Sequence, residues 1–170
     1  MKFTRRLTAL AAALVTVAGG TLLAGAAPAG AADPGSLFRN TANGLCMTTA
    51  DDPANAFQGT ATFAPCDMGD PRQRWRLDLA NQPAWLIISV DTGKCVADVA
   101  GWGLAWLGAC DANDVNQFWH FKSSGAGGLF WVSHDDGKFL STPYREGTSY
   151  VTVRHDLDVT DLRYNWHLVS

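Results

Sequence analysis

The chain has 170 residues and a formal net charge of −3, with 13 basic residues against 16 acidic ones. Without a basic stripe it has nothing to hold a phosphate backbone, so nucleic-acid binding is disfavoured. Fifteen of the sixteen acids are Asp, which favours turns by bonding its own backbone, so the skew suits a loop-rich β protein better than a helical one.

Lys2, Arg5 and Arg6 precede an apolar run from Leu7 to Leu23, and the small residues Ala29-Gly30-Ala31-Ala32 lead into Asp33. A basic start, apolar middle and small-residue exit predict a secretory signal peptide over residues 1–32, hence export. Gly19, Gly20, Gly25 and Pro28 interrupt the run, whereas a membrane anchor wants about 20 predominantly apolar residues. The remainder, about Asp33 to Ser170, then carries ten basic against sixteen acidic residues and all seven tryptophans. It is long enough for one domain with a sizeable core, expected outside the cell and off the membrane.

From there three similar blocks follow, about 36–80, 81–124 and 125–170. The first opens with Leu37-Phe38, turns at Asn43-Gly44, continues through Ala61-Thr62-Phe63 and closes on Gln73-Arg74-Trp75. The second runs from Trp85 to Ile88, turns at Thr92-Gly93, passes Ala105-Trp106-Leu107 and closes on Gln117-Phe118-Trp119. The third has Leu129 to Val132, Asp136-Gly137, Val151-Thr152-Val153 and Tyr164-Asn165-Trp166. The closing tryptophans lie 44 and 47 residues apart, a period that marks one supersecondary unit repeated. Apolar run, glycine turn and apolar run predict a hairpin. The alternation after it predicts a second strand pair, hence four strands per block and twelve in all. Aligning the turns on their glycines without gaps matches Asn40, Ser89 and Ser133. No amphipathic helix stands out, and the repeats leave no length for a separate catalytic domain.

Cys46 and Cys66 fall inside the first block, and Cys95 and Cys110 at matching places in the second; Phe139 and Asp156 take those places in the third. Four cysteines allow three pairings, of which export and the repeat register favour Cys46–Cys66 and Cys95–Cys110. A zinc site is disfavoured by the absence of a Cys-x-x-Cys pair and by an oxidising compartment.

Three Gln-x-Trp-like tripeptides, in phase with the cysteine pairs and with Gly-Leu-Cys-Met and Gly-Lys-Cys-Val hairpins, resemble the ricin-type β-trefoil lectin domain over essentially all of Ser36 to Ser170. The resemblance implies an all-β, pseudo-threefold trefoil, a six-stranded barrel capped by three hairpins. It also implies that Trp75, Trp119 and Trp166 converge on the core rather than on ligand. Family members with working pockets supply an Asp two residues after the first cysteine, an aromatic two before the second, and an Asn ahead of the Gln-x-Trp. Thr48, Ala64 and Arg72 hold these places in the first repeat. Ser141, Arg154 and Arg163 hold them in the third, with Tyr144, Arg145 and His155 nearby; Asp51, Asp52 and Phe57 lie in the first repeat's loop.

The second repeat is the best candidate. Asn116 and Gln117 match, but Ala97 stands at the Asp position and Asp98 one residue further on. That shift turns a side chain to the opposite face unless the strand bulges. Gly108 replaces the aromatic, while Trp106 shares its face and Trp102 sits in the loop Gly101-Trp102-Gly103. The expected carbohydrate-binding set is Asp98, Trp102, Trp106, Asn116 and Gln117, with Gln117 more a strand brace than a contact. The plainer alternative is that the two tryptophans pack on each other, Asp98 caps a turn and Asn116 bonds the backbone.

Nothing in the sequence demands a reacting residue, a cofactor or a metal. Asp111-Ala-Asn-Asp114 and Asp156-Leu-Asp158 lack the glycine and distal Glu of a calcium loop, and His120, His134, His155 and His167 are scattered. The expectation is an exported, monomeric, non-catalytic lectin for an extracellular glycan or polysaccharide. The rival is a trefoil that has lost sugar binding and acts on a protein, for example as a protease inhibitor.

Overall fold

The computed structural model describes residues 34–49, 59–80, 83–99, 101–125, 128–143, 149–155, 158 and 160–170. Asp51, Asp52, Phe57, Tyr144, Arg145, Asp156 and the whole 1–32 segment lie outside them. The described residues form twelve short strands and three 3₁₀ turns, with no α-helix among them.

The first repeat holds β1 (Leu37–Asn40), β2 (Cys46–Thr48), β3 (Thr62–Ala64) and β4 (Trp75–Leu79). The second holds β5 (Trp85–Ser89), β6 (Cys95–Asp98), β7 (Ala105–Gly108) and β8 (Trp119–Ser123). The third holds β9 (Phe130–His134), β10 (Phe139–Ser141), β11 (Thr152–Arg154) and β12 (Trp166–Val169). First and last strands of each repeat pair antiparallel around a ring: β1 with β12, β12 with β9, β9 with β8, β8 with β5 and β5 with β4. The bridge Ser36↔Trp75 closes it. A closed ring leaves no edge to recruit a foreign strand.

The middle strands form three hairpins that meet on the threefold axis. Their backbones bond in a cycle: Ala61 N–H to Ala105 O at 2.7 Å, Ala105 N–H to Val151 O at 3.0 Å, and Val151 N–H to Ala61 O at 2.8 Å. The order is therefore directional, and each hairpin is stitched to the next repeat. Leu104↔Thr152, Thr60↔Trp106 and Thr62↔Tyr150 are the same bridge seen three times.

The core is threefold as well. Phe38, Ile87 and Val132 are fully buried in one cluster with Met47, Val96 and Leu140 and with the three tryptophans. Each indole N–H donates to a backbone carbonyl of its own repeat: Trp75 to Met47 at 3.0 Å, Trp119 to Val96 at 2.9 Å and Trp166 to Leu140 at 2.9 Å. A buried indole needs such a partner, and repeating the bond makes these rings structural.

The disulfides are Cys46–Cys66 and Cys95–Cys110. In the third repeat Phe139 meets Tyr164 edge-on, centroids 6.4 Å apart, where the other repeats have a disulfide and a Gln. The gapless turn alignment is off by one in this repeat. Trp119 faces His134 as Trp75 faces Ser89 and Trp166 faces Asn40. His134 N–H closes on Lys138 O, four residues on, whereas Asn40 and Ser89 close on residues five away. The third turn is one residue tighter, so His134 rather than Ser133 is the counterpart of Asn40 and Ser89 opposite a closing tryptophan.

Candidate functional site

The 3₁₀ turns that precede each closing strand account for Asn116 and Gln117. Asp70, Asp114 and Asp161 cap the three turns, each accepting from the backbone N–H two residues on, as Asp caps generally do. Arg72 and Arg163 also bond their cap Asp, and Asn116 does the same with its amide at 2.8 Å while remaining exposed. Gln117 is buried. Its amide donates to Ala109 O at 2.8 Å and its carbonyl accepts from Asp111 N–H at 3.0 Å, which repeats what Gln73 does with Pro65 and Asp67. Gln117 is a loop brace.

The β6–β7 ladder runs Cys95↔Gly108, Val96↔Leu107, Ala97↔Trp106 and Asp98↔Ala105 without a bulge. Side chains alternate faces along a regular strand. Asp98 therefore shares the inner face with Val96, Ala105 and Leu107, while Trp106 shares the outer face with Ala97. The structure does not bring Asp98 to the tryptophans.

Asp98 instead serves a clasp between repeats. Three residues after Cys46, Thr49 Oγ1 donates to Asp91 in the second repeat's turn at 3.4 Å. In the third repeat Thr142 accepts from Asn43 of the first at 3.2 Å. At the equivalent place Asp98 is ion-paired with Lys138, which also pairs with Asp136 at 2.6 Å. The carboxylates of Asp98 and Asp136 and a ring nitrogen of His134 lie within 4.8 Å of one another, a grouping able to hold a small cation. Lys138 already supplies a positive charge to both carboxylates.

Burial pushes the Asp136 carboxyl up, but hydrogen bonds from Lys138 and His134 outweigh it and hold the group well below the usual carboxylate range. Hydrogen bonds to Asp136 and Asp98 raise Lys138 in turn. His134 bonds Asp136 with Nδ1 and Val115 O with Nε2, both at 2.9 Å, tying the 3₁₀ turn that carries Asn116 to the third repeat. Asp98 Oδ1 is buried with no hydrogen-bond partner among the described residues.

The tryptophans are brought together. Trp102 and Trp106 meet edge-on with centroids 6.0 Å apart. Trp102 is 58% exposed at a turn whose flanking glycines, Gly101 and Gly103, both have positive φ, a region L side chains seldom enter. The turn is pinned by Val153 N–H to Gly103 O at 2.9 Å and by the Leu104↔Thr152 bridge. Trp106 is half-buried beneath, and its indole N–H finds no acceptor among the described residues.

Trp102 lines an open hollow of about 540 Å³. One wall is the 102–104 turn of the second repeat. The other belongs to the third repeat and carries Tyr150, Thr152, Arg154 and His155. Of the five sequence candidates Trp102 alone lines this hollow, with Trp106 bracing it. Tyr150 and Thr152 escaped sequence reasoning, and Arg154 and His155 appeared only as features of the third repeat. The signal that joins them is the cyclic order of the hairpins, which sets each loop against the next repeat. The family's Asp places in the first and third repeats, Thr48 and Ser141, are buried, and Ser141 Oγ bonds Thr152 at 2.7 Å. A second hollow of about 440 Å³ at the barrel mouth, between Leu77, Trp85, Phe121, Phe130 and Leu168, is mostly apolar, which does not suit a polyhydroxylated ligand.

The model of the ricin-type beta-trefoil lectin domain matches residues 35–163. The chain belongs to that family. No curated protein matches the sequence. Among solved structures, the designed threefold-symmetric ThreeFoil is similar at 18% identity and a TM-score of 0.65, over 81% of this chain and 99% of that one. SeviL, solved bound to asialo-GM1 saccharide, matches at 13% identity and a TM-score of 0.58, over 79% of this chain and 95% of that one. The GlcNAcα1-4Gal-releasing endo-β-galactosidase from Clostridium perfringens matches at 14% identity and a TM-score of 0.65, over 79% of this chain but only 31% of its own length. At such identities the likeness is one of fold.

Proposed function

We propose that this domain is an exported, non-catalytic carbohydrate-binding module whose ligand packs on Trp102 in the hollow between the second and third repeats. The observation that carries this is an exposed indole on a glycine-flanked turn hydrogen-bonded to the third repeat, facing a wall of hydroxyl, imidazole and guanidinium groups. A sugar ring offers an apolar C–H face for the indole and hydroxyls for the polar wall. A shallow site of this kind supports a Kd between millimolar and micromolar, about −4 to −8 kcal/mol. A glycan array with pull-down on insoluble polysaccharides tests it. Binding by the wild type that Trp102→Ala abolishes, with the circular dichroism spectrum unchanged, is the expected result; no glycan retained at high protein concentration refutes it.

The burial of Thr48 and Ser141, where family pockets carry an Asp, favours one rival, a trefoil whose loops engage a protein. Inhibition of a secreted protease together with an empty glycan array would establish that rival.

A further inference from the structure

The clasp between the second and third repeats holds more acceptors than its one ammonium serves. Asp98 and His134 are buried, and their ligating atoms and that of Asp136 lie within 4.8 Å of one another. Lys138 brings a single positive charge to the two carboxylates, pairing with Asp98 Oδ2 and lying 2.6 Å from Asp136 Oδ2. The other oxygen of Asp98, Oδ1, is buried without a partner among the described residues. A buried acceptor left so costs free energy until a donor or a cation reaches it. The His134 ring points the same way. Its Nε2 lies 2.9 Å from Val115 O, which only accepts, so Nε2 carries a proton and donates it. Nδ1 lies 2.9 Å from Asp136 Oδ1, a second acceptor, with the Asp136 N–H 3.4 Å away. Two lone pairs do not face each other at that distance unless a proton or a metal ion lies by them. Metal-bound imidazoles are held in this way, the far nitrogen donating to a carbonyl and the near one turned to the ion.

We propose that Asp98, Asp136 and His134 Nδ1 form a site for one divalent transition-metal ion of the zinc class, which displaces the Lys138 ammonium and joins the second repeat to the third. A divalent ion brings two positive charges to two carboxylates, where Lys138 brings one. An imidazole nitrogen among the ligands suits zinc and its neighbours, whereas calcium and magnesium take oxygen. Three protein ligands leave the remaining coordination to water. Lys138 is 17% exposed on a flexible four-carbon stem, so its head can move out to solvent, and Asp136 at 39% exposure leaves a way in for the ion. Asp98 comes from β6, His134 from the end of β9 and Asp136 from the turn after it, so the ion would cross-link two repeats. The site is independent of the carbohydrate reading and goes beyond it.

The test is isothermal titration of the folded protein, first stripped of metal with a chelator, with zinc chloride and separately with calcium chloride. One zinc ion per chain is expected, with calcium about tenfold weaker or more. Asp98→Asn and His134→Gln should each weaken zinc binding about tenfold or more. Lys138→Met should tighten it by about tenfold, because a competing charge-assisted bond is gone. His120→Gln, which alters the neighbouring His120–Asp135 pair instead, should change nothing. Should a variant fail to fold, proton–nitrogen spectra of the wild-type histidine rings carry the test: zinc should shift His134 Nδ1 and leave Nε2 protonated. No zinc binding by the wild type overturns the proposal, as does calcium bound as tightly as zinc. Binding lost with His120→Gln, or zinc shifts confined to other rings, overturns it too, since the ion would then sit elsewhere on the surface. Zinc taken up by Lys138→Met but not by the wild type overturns it as well, for the ammonium would be the resident cation.

Discussion

Asp98 separates a ligand role from a structural one, and Asp98→Asn is the variant that decides. Its carboxylate is 3% exposed and pairs with the Lys138 ammonium, itself 17% exposed, across the boundary between the second and third repeats. Removing one partner of a fully buried pair costs about 3–5 kcal/mol because a charge is stranded. Here Lys138 keeps Asp136 at 2.6 Å, so the loss is nearer that of one charge-assisted hydrogen bond, about 1.5–3 kcal/mol. For a domain of this size that is a fall in Tm of roughly 5–10 °C. Urea denaturation followed by tryptophan fluorescence should show the midpoint dropping with the slope unchanged, as expected when stability alone has altered. Trp102-dependent glycan binding should persist below the new midpoint. A variant with unchanged stability and lost binding would refute the assignment of Asp98 to the clasp. In a double-mutant cycle with Lys138→Met, most of the effect should appear as coupling between the two sites.

Trp119→Phe removes the indole bond to Val96 O and part of a fully buried ring, so chemical denaturation should show a loss of about 2–4 kcal/mol without altering glycan binding. Replacing both Cys95 and Cys110 by Ala opens a loop whose ends are 15 residues apart, and a loss of about 2–4 kcal/mol is expected by the same assay. Stability should also fall at both ends of the pH scale. Asp136 is lowered in the folded state, so its contribution is present above the unfolded value near pH 4 and is lost as pH falls through the folded value. Lys138 is raised, so its contribution is present below the unfolded value near pH 10.4 and is lost as pH rises through the folded one. Denaturation midpoints measured across this range in wild type and Lys138→Met should show both limbs flattened in the variant.

The trefoil was legible because it is written three times. A recurring Gln-x-Trp, a hairpin glycine and a cysteine pair in phase leave little choice of architecture, and interior positions alternate with outward ones along every strand. Trp75, Trp119 and Trp166 could be placed in the core, and both disulfides paired, because these follow from position within one repeat. The site did not follow, for two reasons. The face on which a side chain emerges depends on whether its strand bulges; β6 does not, so Asp98 turned inward to Lys138 while Trp106 stayed outside. Contacts between repeats depend on the order in which the hairpins close around the axis. That order carried Trp102 across to Tyr150, Arg154 and His155, residues about 50 positions away whose own repeat had looked unpromising. Within-repeat chemistry is local and recurs at a readable period, whereas the hollow is made by backbone bonds between repeats, whose partners are set by the direction in which the hairpins close and not by spacing along the chain.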